Sequence, residues 1–426
     1  MDSCTKPSRQ VLVINVGDEL LDGIRGNGHL VWLGENLARR GLRVTRSVTV
    51  RDDAAEIARE VRQAWGAYDL VVTTGGMGPT SDDRTREAVA AALGRELRHV
   101  PAAEEALRLR FKRIGRTVSG SDLRQCQVPA GGEALPNPQG TACGVFLEEQ
   151  GRVLAMLPGP TLEMRPMFEE ELLPRLRRIG CACQGEAYVQ VRTFGIGAVP
   201  LDELVRPLLA PGMALSFGTN GGILDARISS GGAGATAEDL CDVARRVRDA
   251  LGDDFICTGH ASLGSIVVEQ LHSMEKTVAL AESCTGGLLA NAFTDVPGAS
   301  RVFSGSVVCY SNEIKMNLLG IPECLIRQHG AVSAECAAAM ATAAAEKFGT
   351  EYGIAVTGFA GPGGGTAADP VGTVYLGYAS PCGVWSRRLE VPGDRMQVKA
   401  RAVNTALDWM RRNLSRYGVE DLIHGA

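Results

Sequence analysis

Short stretches of this chain place a nucleophile, an amine and glycines at spacings that suit acyl or phosphoryl chemistry. One is Ala281-Glu282-Ser283-Cys284-Thr285-Gly286-Gly287. It lies between an apolar run, Thr277 to Leu280, and a helix-like run, Leu288 to Phe293, so Ser283 falls where a strand ends and a helix begins. Gly286 and Gly287 let a ligand approach the backbone, and free N–H groups at a helix start can hold an oxyanion. The plain alternative is a Ser/Thr helix cap followed by a glycine turn. Farther on comes Cys309-Tyr310-Ser311-Asn312-Glu313-Ile314-Lys315. A serine hydroxyl is a weak nucleophile until a neighbouring base takes its proton. A lysine can be that base when burial favours its neutral form, and a tyrosine can relay or orient. The plain alternative makes Tyr310 a half-buried strand aromatic and Lys315 a solvated helix residue.

Two glycine-dense loops extend the pattern. Ala355-Val356-Thr357-Gly358-Phe359-Ala360-Gly361-Pro362-Gly363-Gly364-Gly365 follows a strand-like run, and its N–H groups could cradle a phosphate. It lacks the lysine of a P-loop. With the Ser/Tyr/Lys set it suggests one pocket at the carboxyl edge of a sheet. Near the other end, Thr73-Thr74-Gly75-Gly76-Met77-Gly78-Pro79-Thr80-Ser81-Asp82-Asp83 also ends a strand and starts a helix. There Gly75, Gly76, Gly78 and Thr80 suit phosphate approach. Asp82 and Asp83 could hold a divalent metal that bridges phosphates, or simply suit the helix dipole. Asp18 and Glu19 follow the first strand and could reach the same edge.

Elements that must position these residues can be read from periodicity. Strands at Val11–Val16, Leu42–Val50 and Asp69–Thr74 alternate with helices at His29–Arg40, Ala54–Trp65 and Asp83–Leu93, which implies βαβ units and a parallel sheet. A middle region has strands at Tyr188–Phe194 and Ile223–Ser229 and helices at Asp202–Leu209 and Ala237–Leu251. The last region opens with a helix at Leu263–Met274, has strands at Val307–Tyr310, Tyr352–Thr357 and Gly372–Ala379, and closes with a helix at Arg395–Arg412. The expected fold class is α/β, in three parts: 1–178 with a parallel sheet, 179–260 small and α+β, and 261–420 again α/β.

Composition narrows the function. At 426 residues the chain is too long for one ordinary core. Its hydrophobic content of 45% and charged content of 22% are those of a globular protein, and a net charge of -5 gives no global pull toward nucleic acid. The twelve cysteines are scattered with no C-x-x-C pair, which points to reduced thiols in a cytoplasmic protein. No signal-peptide core and no run of about 18 apolar residues is present, so no membrane association is expected. With only six lysines in the chain, Lys315 beside a suspected site carries extra weight.

From about Leu263 to Leu414 the chain resembles the C-terminal domain of the competence/damage-inducible protein CinA family. Ala281 to Gly287, Asp295-Val296-Pro297-Gly298, Tyr310-Ser311-Asn312, His329 to Ser333, Val356 to Gly365, Pro370 to Val374 and Gly393-Asp394-Arg395 carry that resemblance. Gly75 to Asp83, Asn137 to Gly144 and Leu157-Pro158-Gly159 resemble the N-terminal domain of the same family, which is related to molybdopterin-binding proteins. The resemblance implies hydrolysis of the carboxamide of nicotinamide mononucleotide (NMN) to the acid and ammonia, without a cofactor. Ser283 would be the nucleophile and Tyr310 and Lys315 its activators. Cys284, Thr285, Gly286, Gly287, Asn312, Thr357, Gly358, Gly361, Gly363, Gly364 and Arg395 would surround the substrate. For the N-terminal part it implies a metal-dependent ADP-ribose pyrophosphatase using Asp18, Glu19, Asn27 and the glycine loop, with Asp82 and Asp83 on the metal. It also implies a KH-type middle domain and a homodimer. The rival reading is a non-catalytic pterin- or nucleotide-binding regulator. The chain departs from the family pattern at His29, where a second asparagine is expected, at Cys143, where proline is expected, and at Lys399, where arginine is expected.

Overall fold

The computed structural model describes residues 9–182, 188–230 and 236–423. They form two compact units that divide between residues 187 and 188. Both are α/β. Among the described residues no helix is long and apolar enough to cross a membrane.

The first unit is built on a six-stranded sheet in the spatial order Leu42–Val50, Arg9–Val16, Leu70–Thr74, Arg152–Leu157, Gly144–Glu149, Glu133–Leu135. The interior strand Arg9–Val16 reads Val-Leu-Val-Ile from Val11 to Ile14 because both of its faces are covered. Val11 and Val13 pack into one core with Leu33 and Leu37 of the Gly28–Ala38 helix. Leu12 and Ile14 pack into the other with Ile57 and Val61 of the Ala54–Ala64 helix. Strands with two buried faces show a continuous apolar run rather than alternation. The first three junctions are parallel, as the alternation of strands and helices implies, and the last two, at the other side of the sheet, are antiparallel. The cause is local. Glu149 pairs with Arg152, so only Gln150 and Gly151 connect the two strands, and both have positive φ (53° and 81°). A two-residue turn of that hand makes an antiparallel hairpin.

The second unit holds two sheets. An antiparallel one runs in the order Ala214–Asn220, Ile223–Ser229, Tyr188–Phe194, Phe255–Thr258. The larger runs Phe303–Val308, Val278–Glu282, Tyr352–Gly358, Thr373–Ser380, Gly383–Glu390, with two parallel junctions followed by two antiparallel ones. Along Val278–Glu282, Val278 and Leu280 face a core completed by the Leu263–Ser273 and Arg395–Ile423 helices. Ala279 and Ala281 face the Ala334–Phe348 helix. That second face is made of small residues, and the helix lies very close. A Cβ on Gly353 would come 2.0 Å from the Ala341 carbonyl oxygen, and one on Gly377 would come 2.0 Å from that of Ala337.

Register brings the chemistry to one edge. Glu282 pairs with Val308 on one side and Val356 on the other, so the segments after all three strands emerge side by side. Gly377→Ala forces helix and sheet apart, and overpacking of this kind costs about 1–3 kcal/mol. Urea unfolding of that variant should show the loss, and an unchanged midpoint would contradict the close helix approach.

Candidate active site

Ser283 is the first residue beyond its strand. Its N–H donates to Val356 O at 2.8 Å, which extends the sheet pairing by one position and fixes where the side chain starts. The chain then turns sharply through Gly286 (φ 62°) and Gly287 (φ 96°) into the Leu288–Thr294 helix. L residues with side chains seldom adopt those dihedrals, so glycine is required here for the turn itself.

Lys315 arrives from the neighbouring crossover. Ser311 caps the Asn312–Asn317 helix by accepting from Ile314 N at 3.2 Å. Lys315 is on the inner side of that short helix and only 1% exposed, not solvated. Its Nζ lies 3.0 Å from Ser283 Oγ and donates to Cys309 O at 2.7 Å. A hydroxyl and an amine are therefore in direct contact, 32 residues apart in sequence, the geometry a serine nucleophile and a base would need.

Tyr310 takes a different place from a direct serine partner. It lies beyond the end of the Phe303–Val308 strand, is 61% exposed, and its hydroxyl accepts from Arg395 Nη2 at 3.0 Å. Arg395 Nη1 donates to Gly361 O at 2.8 Å, tying the closing helix to the glycine loop. Thr357 donates its hydroxyl to Ala331 O at 2.8 Å, leaving only lone pairs for a ligand.

These groups surround a cavity of about 210 Å³. Of the residues singled out from the sequence, Ser283, Cys284, Tyr310, Asn312, Lys315, Thr357, Gly358, Gly361, Gly363 and Arg395 line it. Thr285, Gly286, Gly287 and Gly364 do not. Ala331, Val332, Phe359 and Ala360 line it and were not anticipated. Phe359 carried a signal, an aromatic set between the glycines of a loop at a strand end. Ala331 and Val332 belong to the His329 to Ser333 segment that carried the family resemblance, without being singled out as site residues.

The helix start differs from expectation. Its N–H groups are not free for an oxyanion, because Glu282 takes them: Gly287 N at 3.0 Å, Leu289 N at 3.0 Å and Ala290 N at 2.8 Å. A carboxylate at the end of one element thus caps the next. Cys284, the other nucleophile at hand, is buried, and burial pushes its thiol up to about 11. Thiols react as thiolates, so Ser283 is the better placed nucleophile.

In the first unit, a cavity of about 420 Å³ opens at the carboxyl ends of Arg9–Val16 and Leu70–Thr74. Glu19, Asn27, Gly75, Gly76, Gly78, Asp82 and Asp83 line it, while Asp18 and Thr80 do not. Asn27 spends its side-chain oxygen on Leu30 N at 3.3 Å. Asp83 accepts from Thr80 N at 3.0 Å and from the Thr80 hydroxyl, so it also shapes the loop. Asp18 Oδ1 accepts from Asp52 N at 3.3 Å, and Asp52 Oδ2 accepts from Asp18 N at 3.0 Å. Asp52 lines the cavity and was not anticipated. Burial, with Asp18, Glu19 and Asp82 close by, raises its carboxyl above the usual range. His29 lines the cavity too, and burial first, then Arg25 and Arg165, lowers its pKa. Cys143 is buried instead, donating its thiol to Gln125 O at 3.2 Å. Among the described residues no group of three or more His, Cys, Asp or Glu side chains is arranged to hold a metal ion.

Comparison with known proteins agrees with the two units. The family model described as the CinA C-terminal domain matches residues 260–414, and that of the probable molybdopterin binding domain matches residues 12–178. A CinA-like protein of Frankia casuarinae is 40% identical over 415 residues, covering 95% of this chain and 96% of its own length. One of Salinibacter ruber is 39% identical over 411 residues, with 95% and 99% covered. Among solved structures, a competence-damaged protein (CinA) superfamily protein of Klebsiella pneumoniae is 32% identical, covers 36% of this chain and 96% of its own, and gives a TM-score of 0.35.

The thiol environment can be checked directly. With a pKa of about 11, roughly one Cys284 in a few thousand is ionised at pH 7.5. Iodoacetamide at that pH should modify the exposed Cys241, Cys324 and Cys382 first and leave Cys284 intact by peptide mass mapping. Early loss of the Cys284 peptide would reverse the choice of nucleophile.

Proposed function

The chain belongs to the CinA family, and from that premise we propose that its carboxy-terminal cavity hydrolyses the carboxamide of NMN to nicotinate mononucleotide and ammonia. The observation that carries the reading is the contact between the buried Lys315 amine and the Ser283 hydroxyl, 3.0 Å apart in a cavity. In the proposed reaction Ser283 Oγ attacks the carboxamide carbon while its proton passes to Lys315 Nζ. The tetrahedral intermediate collapses, the C–N bond breaks, and ammonia leaves with the proton returned by Lys315. Water then attacks the resulting serine ester, Lys315 takes the water's proton, and Ser283 is released with it. No imidazole is needed for this sequence. Tyr310 and Phe359 offer aromatic faces to the cationic pyridinium ring. Arg395, on the same wall, suits the phosphate. In this account Tyr310 orients ring and arginine rather than moving the serine proton.

A second reading concerns the first unit. We infer that its larger cavity, with the glycine loop and Asn27 on its wall, takes a nucleotide pyrophosphate and splits it as an ADP-ribose pyrophosphatase. Asp82 and Asp83 would hold a divalent cation, with its other ligands drawn from phosphate oxygens and water in the manner of magnesium. The cation would offset charge on the phosphates, while the N–H groups of the glycine loop orient them.

Ser283→Ala and Lys315→Met should each lower ammonia release from NMN by at least about 10³-fold. Arg395→Ala should chiefly raise KM, and wild type should turn over NMN in preference to nicotinamide riboside and nicotinamide. Retained turnover in Ser283→Ala refutes the assignment. For the first unit, the double change Asp82→Asn with Asp83→Asn should stop metal-dependent formation of AMP from ADP-ribose. Saturable binding by wild type with no AMP would instead identify a binding module.

A further inference from the structure

We propose that Glu282 is a positioning residue that sets the Ser283–Lys315 distance, an inference that rests on the nucleophile role given to Ser283 above. Its carboxylate is completely buried, and no cation pairs with it among the described residues. Four donors satisfy it. One oxygen takes Gly287 N and Leu289 N, which closes the turn that carries Ser283. The other takes Ala290 N and, at 3.3 Å, the hydroxyl of Ser306 on the adjacent Phe303–Val308 strand. The side chain therefore bridges the nucleophile turn to the strand that leads to Lys315.

Its backbone makes the second connection. Glu282 O accepts from Cys309 N at 2.8 Å, and Cys309 O in turn holds Lys315 Nζ at 2.7 Å. One residue is thus covalently next to the nucleophile and one hydrogen bond removed from the group that anchors the amine. A shift of Glu282 moves both reacting groups. A simple helix cap would need neither the Ser306 contact nor this placement. Glutamine cannot replace it, because an amide offers one oxygen and turns NH₂ donors toward donors, leaving N–H groups unsatisfied. Aspartate keeps the charge but is one methylene too short to span turn and strand together.

The test uses the full chain and a fluorophosphonate that reports serine reactivity without any pyridine nucleotide. In the labelling step the Ser283 Oγ–P bond forms, the P–F bond breaks, fluoride leaves, and the serine proton passes to Lys315. Wild type should be phosphonylated at Ser283 by peptide mass spectrometry. Glu282→Gln should react at least about tenfold more slowly at a temperature where circular dichroism shows it folded, and Glu282→Asp should fall between the two. With NMN, kcat should drop while KM stays within about twofold. A lowered melting temperature with an unchanged labelling rate means a structural cap only and overturns the proposal. Should Glu282→Gln not fold, a wild-type labelling rate in folded Glu282→Asp overturns it equally. No labelling of Ser283 in wild type removes the nucleophile reading itself, and this inference with it.

Discussion

The account depends on one contact: a lysine amine, almost wholly removed from water, touching a serine hydroxyl. Burying a polar group without partners costs on the order of 2–7 kcal/mol, so such a contact persists only where the surroundings satisfy both groups. Here they do. Cys309 O accepts from the amine, and the serine backbone is pinned by Val356 O. The helix start behind the serine is satisfied by Glu282 rather than by water. Each of these partners belongs to a different strand end or crossover, so the contact forms only when the sheet does.

Sheet register is accordingly what positions the site. A slip of one residue turns every side chain of a strand to the opposite face. Along Val278–Glu282 that would exchange Val278 and Leu280 for Ala279 and Ala281, against a helix that tolerates no added atom at Gly353 or Gly377. Close packing of small residues on one face and larger ones on the other therefore fixes the edge at which Ser283, Lys315 and the Thr357 loop meet. The first unit repeats the logic with a different set, since its cavity also opens where parallel strands end and glycines follow. Its lining carries the carboxylates of Glu19, Asp52, Asp82, Asp83 and Glu163 beside Arg25, His29, amides and hydroxyls, in place of a lysine and serine pair.

Much of this was legible in the residues. Apolar runs such as Val11 to Val16 gave the three strands with parallel partners at the start of the chain but not the Arg152–Leu157, Gly144–Glu149 and Glu133–Leu135 strands, and a serine between strand and helix marked the edge where the cavity lies. What was not legible came partly from local features outside the apolar pattern and partly from distant neighbours. The Ala214–Asn220 strand was missed because its positions are mostly exposed and show no alternation. The hairpin through Gln150-Gly151 reverses the sheet by turn geometry that the apolar pattern does not carry. Local sequence makes Lys315 a helix residue but does not say that its helix is turned inward. Glu282 reads as one more acidic residue until the N–H groups around it are counted, and Asp52 joins the first cavity because its side chain, just beyond the Leu42–Val50 strand, lies beside Gly76.

The most direct measurement of the central claim is mass spectrometry of the protein quenched in acid during incubation with NMN. The account predicts a nicotinate mononucleotide ester on the peptide that carries Ser283, absent from Ser283→Ala and formed more slowly in Lys315→Met. An adduct on Cys284 or another side chain, or steady ammonia release with Ser283 never modified, would contradict it.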